Sequence, residues 1–352
     1  VGSGKPRIDF KDDAKGALLL EPSRSNLVTY SEDFSNASWL KAASTITSNI
    51  ITSPDGTLNA SLFQSNVTDG YMYPPSSILS SAANGTFTYS IYAKEGNTSS
   101  FTILMTGGAN YVGNFNLTTV VATTSSANTT VDISNVGNGW YRCSLIASLV
   151  PSSAYSELQI GRISSGSNLY FYGAQLEQGS YATSYIPTQG SAVTRIADTC
   201  NNGGNEQVIN STEGVLYVET KGFVDLPPTS RYIQLSKSGE ASFNNSLVLQ
   251  HRNNGYLRIY ANGSATANIH FNENIDFSQN HKIAVLYKLN GYKLFIDGVA
   301  KSLYGTPTQT VFSGLNDFSF DNRGAANWNG SIKDARVYNT ELTDAELQAL
   351  TT

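Results

Sequence analysis

The sequence predicts an all-β protein made of two β-sandwiches of jelly-roll type in tandem, closed by one short helix. Three observations carry this. Charged residues make up only 14% of the chain against 40% hydrophobic, and Ser, Thr, Asn and Gly fill the gap, a mixture suited to sheets joined by polar turns. Apolar residues recur in short alternating runs rather than at helical spacing. Alternation then stops after Tyr172, through Gly179, Pro187 and Gly190, and ends in Cys200-Asn201-Asn202-Gly203-Gly204, which has nothing to bury. The predicted division is a first sandwich over residues 1–198, a linker at 199–204 and a second sandwich over 205–352. A chain of 352 residues is long for one core and natural for two.

Ala17-Leu18-Leu19-Leu20 reads as a short buried strand, broken by Glu21-Pro22. Residues 86–93 alternate strictly, with Phe87, Tyr89, Ile91 and Ala93 on one face. Residues 100–105 form the next strand. The turn Gly137-Asn138-Gly139 opens another over 140–147, in which Trp140 is a core residue. Residues 158–161 and 169–172 complete the first set. In the second half, 213–220 and 231–235 read as strands, and 246–252 is joined to 256–260 by Asn253-Asn254-Gly255. Residues 281–288 meet 292–296 across Asn290-Gly291, the strongest short hairpin signal. After a strand at 331–338, Thr343 caps a terminal helix, with Glu346 placed to complete a capping box.

Several classes are excluded. A net charge of −5 gives no basic stripe for nucleic acid. No apolar run reaches the ~20 residues of a membrane span, so no membrane insertion is expected. No signal peptide is read behind Val1. The two cysteines, Cys143 and Cys200, read as unpaired thiols. The histidines, His251, His270 and His281, are scattered and make no zinc motif.

Two resemblances add to this. The opening Leu18-Leu19-Leu20-Glu21-Pro22-Ser23-Arg24-Ser25-Asn26-Leu27 resembles that of a carbohydrate-binding-module-like jelly roll common in bacteriophage structural proteins. Tyr30-Ser31-Glu32-Asp33-Phe34 with Trp39, Asn138-Gly139-Trp140-Tyr141-Arg142, and Gly173-Ala174-Gln175-Leu176-Glu177 running to Thr188 fit the same pattern. The second half is similar to laminin-G-like, concanavalin A-like sandwiches. Its hairpin from His281 to Gly298 carries the resemblance, with Asp297 where Asn is usual, and so does the close from Trp328 to Leu347. That family's usual roles are sugar or protein recognition, in some members with calcium.

Candidate residues follow. Glu21, Arg24 and Asn26 read as an internal network, with Arg24 bridging a carboxylate through two parallel hydrogen bonds. Tyr71, Tyr73, Asn110 and Tyr111, placed in loops, offer aromatic faces for sugar rings and amides for hydroxyls. The same residues suit an interface with a sister subunit equally well. Arg323, Asn327 and Trp328 are the carbohydrate-binding candidates of the second sandwich. For metal, Asp321, Asn322 and Asp334 are the oxygen ligands to test, short of the six to eight that calcium takes. No cofactor is therefore expected, though calcium stays open, and Asp334 reads first as a structural or solvated residue.

No enzyme is expected. Glycoside hydrolysis needs two carboxylates about 5–9.5 Å apart, whereas Asp317 and Asp321 on one strand would lie about 13 Å apart. No Ser-His-Asp context or phosphate loop appears. The expectation is a virion surface protein, a phage fibre or decoration subunit, that presents lectin-like domains to host cell-surface glycan. It would act as a homo-oligomer, by resemblance a trimer, among sister subunits and other virion proteins. The rivals are a secreted, extracellular polysaccharide-binding module carried on a separate catalytic domain, and a purely structural particle protein.

Overall fold

The computed structural model describes the chain except residues 1–4, 12, 76–77, 79–83, 151–156, 223–229, 240–244, 263–270, 290, 305–311 and 322–325, and the side chain of residue 262. The chain divides into two units, Ser23–Ile196 and a second made of Val1–Pro22 with Ala197–Thr352. Both are antiparallel β-sandwiches. Among the described residues no helix is long and apolar enough to cross a membrane.

In Ser23–Ile196 two six-stranded sheets face each other. One runs, edge to edge, Thr129–Gly137, Trp140–Leu149, Gly85–Glu95, Asn168–Gln178, Leu58–Ser65 and Ser44–Thr52. The other runs Val121–Thr123, Asn110–Asn116, Ser100–Thr106, Leu158–Ile163, Gly70–Tyr73 and Leu40–Ala42. The alternation read at Phe87, Tyr89, Ile91 and Ala93 turns that face into the core, where it meets Phe101, Ile103 and Met105 of the second sheet. Trp140 is buried, its indole N–H donating to the Thr52 carbonyl at 3.1 Å.

One irregularity shapes everything downstream. Ile160 and Ile163 both lie in the core, although strict alternation would put residues three apart on opposite faces. A bulge between Gly161 and Ile163 reconciles them. Gly161 has φ 118°, and a Cβ there would stand 2.7 Å from Phe63 Cζ, so the position is closed to other residues.

The other unit corrects the predicted boundary. Residues 1–22 were assigned to the first sandwich, but Ile8–Asp9 and Ala17–Leu20 form one side of a seven-stranded sheet with Gly330–Tyr338, Glu213–Gly222, His281–Lys288, Gly291–Ile296 and Val299–Lys301. Leu18 is in register with Ile332, and Leu20 is buried in this unit's core. A run such as Ala-Leu-Leu-Leu announces a strand but not its partner. Residues 199–204 are not a free linker either. Gly203 and Phe318 exchange both backbone hydrogen bonds, and the Phe320 N–H donates to the Cys200 carbonyl at 2.8 Å. Polar side chains left this backbone no less able to pair. Ser23–Ile196 is thus an insertion within the second sandwich.

The five-stranded sheet opposite runs Phe271–Asn274, Tyr256–Asn262, Ser246–His251, Arg231–Ser236 and Asp317–Ser319. Leu216, Val218, Ile283 and Val285 pack against Ile233, Leu235, Leu247 and Leu249 between the sheets. The alternate residues Val215, Tyr217, Ala284 and Leu286 are buried on the other face, where Leu347 of the terminal helix Asp344–Thr351 joins them. That helix carries the capping box the sequence predicts: Thr343 Oγ1 accepts from the Glu346 N–H and the Glu346 carboxylate accepts from the Thr343 N–H at 2.7 Å. Residue 290 lies outside the described residues, and its hairpin pairs as expected, Tyr287 opposite Tyr292. Cys143 is buried and Cys200 half-buried, and neither forms a disulfide.

Candidate functional site

Residues in register across an antiparallel sheet project to one face. On the second sheet of Ser23–Ile196, Tyr71, Thr102, Asn114 and Thr123 form one such row, with the side-chainless Gly161 in register between Tyr71 and Thr102. It faces away from the core, because Met72, Ile160 and Ile103 alternate with it and are buried in the core. Along this outer face lies an open groove of about 510 Å³ lined by Ser100, Thr102, Asn114, Asn116, Arg162 and their neighbours. The lining residues hold one another: Thr102 Oγ1 donates to Asn114 Oδ1 and Asn116 Nδ2 to Ser100 Oγ, each at 3.0 Å. Among the described residues the Asn114 amide N–H₂ donates to no partner.

Tyr71 and Tyr73, two apart on the strand Gly70–Tyr73, share this outward face, with ring centroids 5.7 Å apart and planes at 36°. Burial, with Glu157 and Tyr71 alongside, pushes the Tyr73 phenol up, so it stays an O–H donor. Arg162 is the second residue of the bulge, at φ 53°, and its guanidinium lies 5.5 Å from the Tyr71 ring centroid. Its Nε has no partner among the described residues.

The sequence placed Tyr71, Tyr73, Asn110 and Tyr111 in loops; all four lie in strands. Strand parity then separates them. Tyr111 is opposite the buried Met105 and packs on the core, away from Tyr71 and Tyr73. Asn110 is exposed on the outer face, four residues and about 13 Å along the strand from Asn114. Arg162, Asn114 and Thr102 were missed. Their signal was faint: an arginine directly after a glycine that ends an apolar run.

In the second unit, Arg323 and Asn322 lie outside the described residues. Trp328 is 1% exposed; its indole N–H donates to Thr220 Oγ1 at 3.1 Å and its ring packs edge-on against Phe277. It is a core residue and presents no face to a sugar. Asn327 is 9% exposed, donating to the Asp198 carbonyl at 2.9 Å. The oxygen candidates do not converge. Asp321 is buried beyond the end of Asp317–Ser319 on the five-stranded sheet, accepting from Asn201 Nδ2 at 3.3 Å. Asp334 stands on the seven-stranded sheet and is held by Arg336. Among the described residues no group of three His, Cys, Asp or Glu side chains could hold a metal ion.

The sequence-predicted residues Glu21, Arg24 and Asn26 each have internal partners. Glu21 pairs with Arg7 at 3.3 Å, and Arg24 Nε faces the buried Glu177 carboxylate at 3.9 Å. Asn26 is buried and donates to the Ala174 and Ile186 carbonyls.

Residues 225–348 match the concanavalin A-like lectin/glucanases superfamily. No curated protein matches the chain. Among solved structures, the chain is similar to the Ruminococcus gnavus IT-sialidase CBM40 bound to alpha2,3 sialyllactose (16% identity, 44% of this chain and 97% of that one, TM-score 0.35). It is also similar to a heptameric SAP-like pentraxin from Limulus polyphemus (12%, 43% and 74%, TM-score 0.34). A third likeness is to mouse laminin alpha1 domains LG4-5 (8%, 96% and 93%, TM-score 0.26).

Within the lectin/glucanase-like region, Asp317 and Asp321 are the acidic pair that the sequence singled out. Burial, with Asp321 beside it, pushes the Asp317 carboxyl up, but the buried Asp321 offers a substrate no approach. A second pair went unread in the sequence. In Ser23–Ile196, the Tyr172 hydroxyl lies 3.1 Å from Glu32 Oε1 and 2.8 Å from Asp55 Oδ2, and the Tyr185 hydroxyl lies 3.2 Å from the same Glu32 oxygen. Desolvation pushes Asp55 up, but hydrogen bonds from Thr57, Ser53 and Tyr172 outweigh it and hold the carboxyl well below the usual range. The pair fastens Tyr172 and Tyr185 in place.

Proposed function

We propose that this is a non-enzymatic glycan-binding protein whose sugar lies on the outer face of the sheet that carries Tyr71, Thr102 and Asn114. One observation carries this reading: an open groove lined by hydroxyl and amide side chains and by Arg162, whose guanidinium lies over the Tyr71 ring. Hydroxyl and amide groups supply both donors and acceptors to sugar hydroxyls, and aromatic faces pack on the C–H face of a sugar ring. The superfamily matched by residues 225–348 includes lectins by its own description, which supports glycan recognition by the other unit of the chain.

The wider setting rests on the resemblances of the sequence. We read the chain as a virion surface protein, a phage fibre or decoration subunit, whose ligand is host cell-surface glycan. Shallow sites of this kind bind weakly alone, and a trimer of them would gain by avidity. The test is a glycan array probed with the folded chain, followed by calorimetry on the best ligand. Asn114→Ala and Tyr71→Ala should each weaken binding about tenfold, the equivalent of one hydrogen bond or one stacking contact. A second reading has its own observation: Leu40, in register with Tyr73, is 48% exposed, as suits an interface between subunits. Light scattering on Tyr73→Ala distinguishes the two, since a subunit interface predicts a smaller particle and glycan binding predicts an unchanged one.

A further inference from the structure

We infer that the ligand of this groove is an acidic glycan, and that Arg162 reads its charge. The inference rests on the groove being the glycan site and names the class of glycan.

Arg162 occupies a backbone conformation, φ 53°, that L side chains adopt reluctantly. Glycine would sit there without strain, and Gly161 directly precedes it. An arginine held in such a position is a costly choice for a residue with only a structural role. The bulge explains what the strain achieves. It keeps Ile160 and Ile163 in the core while Arg162 lines the groove, and bulges re-aim side chains in this way.

The guanidinium is also braced and uncommitted. Tyr71 supports it from one side at 5.5 Å. Its Nε has no partner, and no carboxylate forms an ion pair with it among the described residues. Asp69 lines the same groove and is exposed, and among the described residues its carboxylate forms no ion pair with Arg162. The neighbouring polar side chains satisfy one another, Thr102 with Asn114 and Ser100 with Asn116. What remains is a planar fork of donors with a fixed charge, the geometry that matches a carboxylate, sulfate or phosphate.

The test compares an oligosaccharide of uronic acids with its carboxyl-reduced neutral counterpart by calorimetry, with sulfated and phosphorylated oligosaccharides as further arms. The acidic form should bind at least tenfold tighter, and the difference should shrink as salt is raised. Arg162→Gly should abolish the preference while the thermal midpoint stays level or rises, because glycine relieves the backbone. Arg162→Lys should keep part of it. Equal binding of acidic and neutral forms, lost in Tyr71→Ala, would overturn the charge assignment and leave the groove standing. A preference that survives Arg162→Gly would also overturn it, since the charge would then be read elsewhere. No binding of any form by the folded chain would remove both readings together.

Discussion

At the scale of single residues, two buried groups make opposite demands on the fold. Tyr89 is wholly buried among Phe87, Ile91 and their partners, and its hydroxyl has no hydrogen-bond partner among the described residues. An unmet buried hydroxyl costs about 1–3 kcal/mol. Tyr89→Phe should therefore raise stability by about 1 kcal/mol, read as a higher midpoint in urea with unchanged slope. A loss of stability would mean that the hydroxyl has a partner. His251 makes the second demand. Burial, with Arg231 opposite it in the ladder, pulls its ring from 6.5 down to about 4. Above pH 6.5 the ring is neutral folded or unfolded, and its contribution is fully present. Between 6.5 and 4 the unfolded chain takes up a proton that the folded chain refuses, so stability falls with pH. His251→Phe, stacking on Phe277 as the ring does now at 4.3 Å, should flatten that slope. An equally steep loss in the variant would place the titration elsewhere.

At the scale of elements, what was legible depended on whether the signal was local. The terminal helix was legible because a capping box lies within four residues. Thr343→Ala should cost about 1 kcal/mol, measured as loss of protection of the helix amides in hydrogen exchange. The strands carrying Phe87 to Ala93 and the hairpin at Gly291 were legible because both faces or both turn residues announce themselves. Edge strands such as Ser44–Thr52, whose residues are mostly exposed or half-buried, carry no strong alternation and went unread. The site was the least legible part. Which way Tyr111 points is a matter of parity, and parity is fixed by its pairing with Met105 across the short turn at residues 107–109, whose register the alternation alone does not reveal. Arg162 faces the groove because a bulge adds a residue between two core isoleucines, and nothing in Gly161-Arg162 marks a bulge until Phe63 is known to lie beneath. Gly161→Ala should cost about 2 kcal/mol from overpacking and backbone strain together, and it should weaken glycan binding through Arg162. A well-folded Gly161→Ala that binds normally would mean that the bulge does not aim the arginine.

At the scale of the whole molecule, the chain order conceals the construction. The first strands belong to the last sandwich, and 174 residues from Ser23 to Ile196 intervene. Each unit accounts for its own ends. In the insertion, Arg24–Asn26 pairs with Val193–Arg195, so its entry and exit strands lie side by side. In the other unit, Glu21 and Asp198 are joined by the Glu21 N–H donating to Asp198 Oδ2 and the Asp198 N–H donating to the Glu21 carbonyl, each at 2.9 Å, and Arg7 binds both carboxylates. An insertion whose termini meet can fold without its host, whereas a host that loses its first strand cannot repair its sheet. A chain starting at Ser23 should therefore keep the unfolding transition of the insertion and lose stability in the other. Removal of Leu20 from the second core would alone cost about 2–5 kcal/mol, and the unpaired side of Gly330–Tyr338 would be left as an open edge. Calorimetry on the full and shortened chains, with hydrogen exchange to assign each transition, decides it. If both transitions fell together, the two sandwiches would be one cooperative unit, and a glycan site on the insertion would have to be studied in the whole chain.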